Sequence, residues 1–273
     1  MTPKMDVGKV FSRIFELYTS QAGVYLPAAL ILYLPFALIS GAVLTGTTGL
    51  FVILLLAALS FVIVFIYQGI VVRSVEDLQD GQRDLAIGEL FRSVLPVLGS
   101  LILVGVVGGI AVTVGFFLLI IPGVILATIW AVIAPAVVIE RRGFDAFGRS
   151  YELTRGNFWQ VLGVIVVLFI VLFVIQRIFA AIGGGISDSF VTYAIFTLIS
   201  NVIVAPLSAL AAAVMYFELR GLQQAAPAAA APATGTPPAP AAPATGAPES
   251  TPPPSTPPPA PPPSEQQPPP STG

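Results

Sequence analysis

The stretch IPGVILATIWAVIAPAVVIERRGFDAFGRSYELTRGNFWQVLGVIVVL, Ile121 to Leu168, decides the fold class. It runs apolar to Ile139 and then crosses a polar connection that includes Glu140, Arg141, Arg142, Asp145, Arg149, Glu152 and Arg155. At Phe158 it turns apolar again. Apolar runs of about 20 residues match the hydrocarbon thickness as helices, and an unpaired strand in lipid would leave its backbone unsatisfied. Both runs therefore read as transmembrane helices joined by a charged link.

Outward from this stretch the pattern repeats. Further blocks are Val24–Leu44, Leu50–Val72, Leu95–Leu119 and about Tyr193–Phe217, which with Pro122–Ile139 and Phe158–Phe179 makes six. The first is longer than a secretory signal core and starts too far into the chain, so it reads as a span. Composition agrees: 56% of residues are hydrophobic and 10% charged, with a mean hydropathy of +0.91, whereas a soluble domain carries roughly 25% charged residues. The fold expected is all-α integral membrane, six transmembrane helices as three hairpins, over residues 1–221. The connections Thr45–Gly49, Ile120–Gly123 and Ala180–Phe190 are short.

Orientation follows from the twelve Lys and Arg residues. All but Arg177 lie before the first span, between spans two and three or four and five, or after the sixth. That asymmetry places both termini in the cytoplasm and the chain in the cell (inner, cytoplasmic) membrane.

Each hairpin is preceded by an amphipathic segment. Val7, Val10, Phe11, Ile14, Phe15 and Tyr18 form one helical stripe; Ile87, Leu90, Phe91 and Val94 form a second; Phe144, Phe147 and Tyr151 a third. FSRIFELY (11–18) and FGRSYELT (147–154) align at Phe11/Phe147, Arg13/Arg149, Phe15/Tyr151, Glu16/Glu152 and Leu17/Leu153, which suggests an internal repeat. Such helices are expected to lie in the cytoplasmic interface, either as elbows into the next span or as lipid contacts, with Arg13, Arg92 and Arg149 the candidates for anionic headgroups.

Residues 222–273 change character. They hold most of the 26 prolines, mixed with Ala, Thr, Ser and Gly, and are expected to be a disordered Pro/Ala-rich cytoplasmic tail, open to a protein partner.

Chemistry is sparse. The chain has no cysteine and no histidine, which removes thiolate and imidazole mechanisms and the usual zinc sites. The cluster Glu76, Asp77, Asp80 and Asp84 lacks calcium-loop spacing. No catalytic residue, metal, cofactor or nucleic-acid partner is expected, and the chain reads as a non-enzyme. The candidate intramembrane polar site is Asn201, with Pro206 near it, as an interhelical hydrogen bond or a substrate contact. Gly105 with Gly109, and Ala205 with Ala209 and Ala213, read as helix packing.

Ile121-Pro122-Gly123, Trp130, Pro135, Glu140, Ala146, Arg149-Ser150, Glu152-Leu153-Thr154, Gly156, Phe158-Trp159 and Leu162-Gly163, with the FELRG end at Phe217–Gly221, resemble the glycerophosphoryl diester phosphodiesterase membrane-domain family and the related YciC-like bacterial multi-pass proteins. The resemblance implies the membrane module without its catalytic domain, which relies on histidines. Two functions are compatible with these features. One is a non-catalytic membrane protein in lipid or envelope homeostasis, or a membrane scaffold, with membrane lipids as partners. The other is a lipid or small-molecule transporter or flippase, with a midplane cavity lined by Asn201, Thr113 or Thr128.

Overall fold

Apolar blocks of spanning length become helices because hydrocarbon offers the backbone no other partner. The computed structural model describes residues 4–44, 49–79, 81, 87–186 and 189–230. Arg83, Asp80, Asp84 and the tail from residue 231 lie outside them. Among the described residues there are nine α-helices and no strand: α1 (Val7–Ser20), α2 (Ala22–Leu44), α3 (Leu50–Gln79), α4 (Ile87–Leu118), α5 (Ile120–Ile129), α6 (Ile133–Glu140), α7 (Asp145–Thr154), α8 (Phe158–Ile186) and α9 (Phe190–Ala230). Six segments are long and apolar enough to cross a membrane: α2, α3, α4, the pair α5–α6, α8 and α9.

Helix α9 is the axis. It packs against α1, α2, α3, α6, α7 and α8, and 67% of its apolar window is buried, against 11% for α8. The small residues Ala205, Ala209 and Ala213 are all buried, which lets neighbouring backbones approach. At 41 residues and 1.5 Å per residue, α9 is about 60 Å long, so it projects well beyond a hydrocarbon layer of about 30 Å. It continues past the expected boundary at Gly221.

Helix α1 forms for visible reasons. The Asp6 carboxylate caps it, accepting from the Gly8 and Lys9 amides at 2.9 and 3.2 Å. Its stripe Val10, Ile14 and Leu17 is buried against α8 and α9. Ahead of the cap, the Met5 amide donates to the Asn157 side chain at 2.9 Å, tying the N-terminal segment to the start of α8.

Four expectations need correction. The stripe Ile87–Val94 is no separate interfacial helix; it forms the first turns of α4, which runs on through Pro96. The connection at Ile120–Gly123 shrinks to the extended residue Leu119, with Pro122 in the first turn of α5, where its missing N–H costs nothing. The chains cross so closely there that a Cβ on Gly115 would lie 3.1 Å from the Gly123 backbone. The run Gly183–Gly185 is helical, not loop. The fourth span is broken at Trp130–Val132.

The Gly105–Gly109 pair is a socket for α3. The Phe65 ring lies over Gly105 and would overlap any Cβ there, and a Cβ on Gly109 would sit 3.0 Å from the Phe61 ring. Gly105→Ala should therefore lower thermal stability in detergent by about 1–3 kcal/mol through overpacking. Gly99→Ala, with open space at its Cβ, should be neutral or stabilise by about 0.5–1 kcal/mol. Equal melting shifts for the two would refute the socket.

Candidate functional site

The break in the fourth span has a local cause. The Pro135 ring would collide with the Ala131 carbonyl in a continuous helix, and Pro135 has no N–H to give it. The chain therefore leaves helical geometry at Trp130–Val132 and restarts with Pro135 in the first turn of α6. Ile133 N–H donates to the Trp130 carbonyl at 3.2 Å, one residue short of the helical pattern, which frees the Ile129 carbonyl.

Helix α7 supplies what that carbonyl lacks. The Ser150 hydroxyl donates to Ile129 O at 2.8 Å and the Thr154 hydroxyl at 3.3 Å. Both side chains are fully buried. Phe147, on the same helix, meets the Trp130 ring edge-to-face at 4.8 Å and rests against Gly108 of α4. The amphipathic helix thus plugs the break.

A polar clasp closes over this plug. Glu140, the last residue of α6, accepts from Arg149 Nε at 2.8 Å, Tyr216 Oη at 2.8 Å and Arg142 Nε at 2.7 Å. Arg149 Nη1 also donates to Gln223 Oε1 at 3.0 Å, and Gln223 Nε2 donates to the Glu152 carbonyl at 3.0 Å. Arg73 of α3 donates to the Val138 carbonyl and to Glu76, both at 2.6 Å, placing a cation at the C-terminus of α6. Partial desolvation of Arg149 opposes its charge, but the hydrogen bond and charge of Glu140 outweigh this and hold its pKa above the ordinary value. With both oxygens of Glu140 engaged, the clasp holds helices α6, α7 and α9 together.

The candidate residues separate accordingly. Arg149 is committed to the clasp, with 19% of its side chain exposed and its Nε and Nη1 donating to protein acceptors. Arg13 stays 48% exposed beside Glu16 and lines a cavity of about 330 Å³ with Glu218, Gln79, Val75 and Phe217. Arg92 is exposed on α4. The repeat holds in three dimensions: Arg13 pairs with Glu16 at 2.9 Å and Arg149 with Glu152 at 3.5 Å, while Leu17 and Leu153 are buried and Phe15 and Tyr151 exposed.

Asn201 donates to the Thr197 carbonyl of its own helix at 3.0 Å and lines a cavity of about 460 Å³ between α8 and α9, with Gln176 and Ser200. Thr113 and Thr128 do not join it. Their hydroxyls donate to Gly109 O and Val124 O, each at 2.7 Å. Glu140, Tyr216 and Gln223 escaped sequence reasoning. A carboxylate closing an apolar run was the available signal for Glu140, since its charge demands a partner.

Glu140→Ala should cost about 2–4 kcal/mol, because it strands Arg149 in a half-buried site. Adding Arg149→Met should recover part of that loss, which a double-mutant cycle in detergent would measure. Purely additive losses would show that the pair is not coupled.

No curated protein and no solved structure matches the chain. Residues 85–235, more than half of it, match a family model, and this region contains the break, its plug and the clasp residues Glu140, Arg142, Arg149, Tyr216 and Gln223. The chain belongs to the family described as Domain of unknown function (DUF7847).

Proposed function

We propose that this multi-pass helical protein is a non-catalytic membrane module that binds anionic lipid at its charged end, in the service of lipid or envelope homeostasis. One observation carries the reading. Phe15, Phe144, Tyr151 and Trp159 are exposed there, at 54%, 56%, 45% and 76%, and Arg13 and Arg142 beside them are each 48% exposed. Aromatic rings at headgroup level interleaved with cations suit a membrane interface. In this reading the charged end is cytoplasmic and the membrane is the cell membrane, as the arginine distribution favours. The tail from residue 231 is the part of the chain open to a protein partner.

Kinship with the phosphodiesterase-associated membrane-domain family belongs to the same proposal. Its support is that Pro122-Gly123, Trp130, Pro135, Glu140 and Arg149-Ser150, which carry the resemblance, coincide with the tight turn, the break and the clasp. A second reading, transport of a lipid or small molecule, draws on the discontinuous fourth span, a feature of transporter folds. Movement of labelled lipid across reconstituted vesicles above the protein-free rate would favour it.

The double variant Arg13→Gln/Arg92→Gln should lose co-purifying anionic lipid, by about fivefold per arginine if each contributes about 1 kcal/mol. An unchanged lipid complement would remove the headgroup reading. Because the chain has no cysteine, Gly81→Cys should react with a membrane-impermeant maleimide only after permeabilisation. Reaction in intact cells would reverse the orientation.

A further inference from the structure

The cavity between α8 and α9 lies far from the clasp. Gln176 lies ten residues before the end of α8 at Ile186, about 15 Å at 1.5 Å per residue, and the lining extends toward that end through Gly183 and Gly184. Asn201 is 11 residues into α9, about 16 Å from the helix start at the same end and so level with Gln176. The cavity is therefore a groove in the part of the α8–α9 hairpin away from the charged end. At about 460 Å³ it falls within the size range of small-molecule sites.

Among the described residues its lining is polar without being charged. Gln176, Thr197, Ser200 and Asn201 provide amides and hydroxyls, while Phe179 and Phe196 provide apolar wall. Polar side chains at this depth are costly unless they find partners. Asn201 uses one amide hydrogen on Thr197 O, a fraction of its capacity. Gln176 makes no hydrogen bond among the described residues, although it sits on a helix whose apolar window is only 11% buried. Arg177, next in sequence, lies over the Phe173 ring at 5.5 Å and is not part of the lining. With no counter-charge among the described lining residues, a phosphate would be desolvated at a net loss.

The glycines shape the groove. Gly183 packs on Phe196, where a Cβ would lie 3.1 Å from the ring, and this brings α8 and α9 together. Gly184, one residue on, opens into the groove, and a Cβ there would meet nothing within 4 Å.

We propose that this groove binds the headgroup of a single membrane lipid that is uncharged and bears a free hydroxyl, its acyl chains remaining in the surrounding bilayer. This site is independent of the anionic-lipid surface at the charged end. The amides of Gln176 and Asn201 pair with hydroxyl and ester oxygens, Phe179 and Phe196 cover the glycerol carbons, and chains leave along the exposed face of α8.

The test is native mass spectrometry of the full chain titrated with dioleoylglycerol, and in parallel with dioleoyl phosphatidate, which has the same chains and an anionic headgroup. Wild-type protein should retain one dioleoylglycerol. Gln176→Leu/Asn201→Leu should weaken it about tenfold, and Gly184→Leu, which fills open space, should abolish it. Phosphatidate retention should be the same in all three proteins. Equal dioleoylglycerol retention by wild type and variants, or a wild-type preference for phosphatidate at this groove, would overturn the proposal. Should a variant not fold, a diazirine-bearing diacylglycerol on wild-type protein decides: crosslinks within α8 and α9 around Gln176 and Asn201 support the site, and crosslinks elsewhere overturn it. Failure of the Arg13/Arg92 experiment leaves this result unaffected.

Discussion

A backbone carbonyl released inside an apolar span must find a donor within the protein, because hydrocarbon has none to offer. The Ile129 carbonyl is in that position, and the hydroxyls of Ser150 and Thr154 answer it. Much of the charged end follows from this demand. For the hydroxyls to reach Ile129, α7 must lie against the break, which brings Phe147 onto Trp130 and Arg149 to Glu140. Once Arg149 is there, Gln223 and Tyr216 of α9 complete the set of partners. A proline that would be a defect in an isolated helix thus becomes the point where three helices are joined.

The same logic separates two helices of common pattern. Helices α1 and α7 share the Arg–Glu pair, the buried leucine and the exposed aromatic. They differ where α7 meets the break: Ile14 of α1 is an apolar core residue, whereas Ser150 at the aligned position is a hydrogen-bond donor. In α1 the arginine remains at the surface, and in α7 it is drawn into the clasp. One ancestral-looking pattern therefore serves as a surface element in one hairpin and as a structural plug in another.

The six spans were legible because apolar blocks of spanning length have a single physical solution. Helices α1 and α7 were legible because their stripes are bounded, by the Asp6 cap in one and by the polar link in the other. The middle stripe carried no stop, so its helix simply continued into α4. The glycines at 183–185 look like a loop by propensity, yet the roughly 1 kcal/mol that glycine costs a helix is less than the cost of unsatisfied backbone in lipid. Pro135 was visible, but the partner of the carbonyl it frees lies in a different helix, and nothing in the intervening residues marks Ser150 as that donor. Tyr216 and Gln223 are farther still from Glu140 and Arg149, and such pairings exist only in three dimensions. Asn201 was legible as a polar residue in an apolar helix, whereas its neighbour Gln176 gained meaning only once α8 and α9 were seen side by side.

The two ends of the bundle consequently use polar chemistry in opposite ways. At the charged end Arg149, Arg142 and Tyr216 all donate to Glu140 within the chain, while the outer face, with Arg13 and the aromatics, is exposed. At the other end amides and hydroxyls line an open groove on the most lipid-exposed helix, and Gln176 has no partner among the described residues. A protein that pairs polar groups with one another in one region and leaves them open in another offers capacity for recognition where they are open. Here those places are the arginine-bearing surface at one end and the groove lined by amides and hydroxyls at the other, which differ in chemistry.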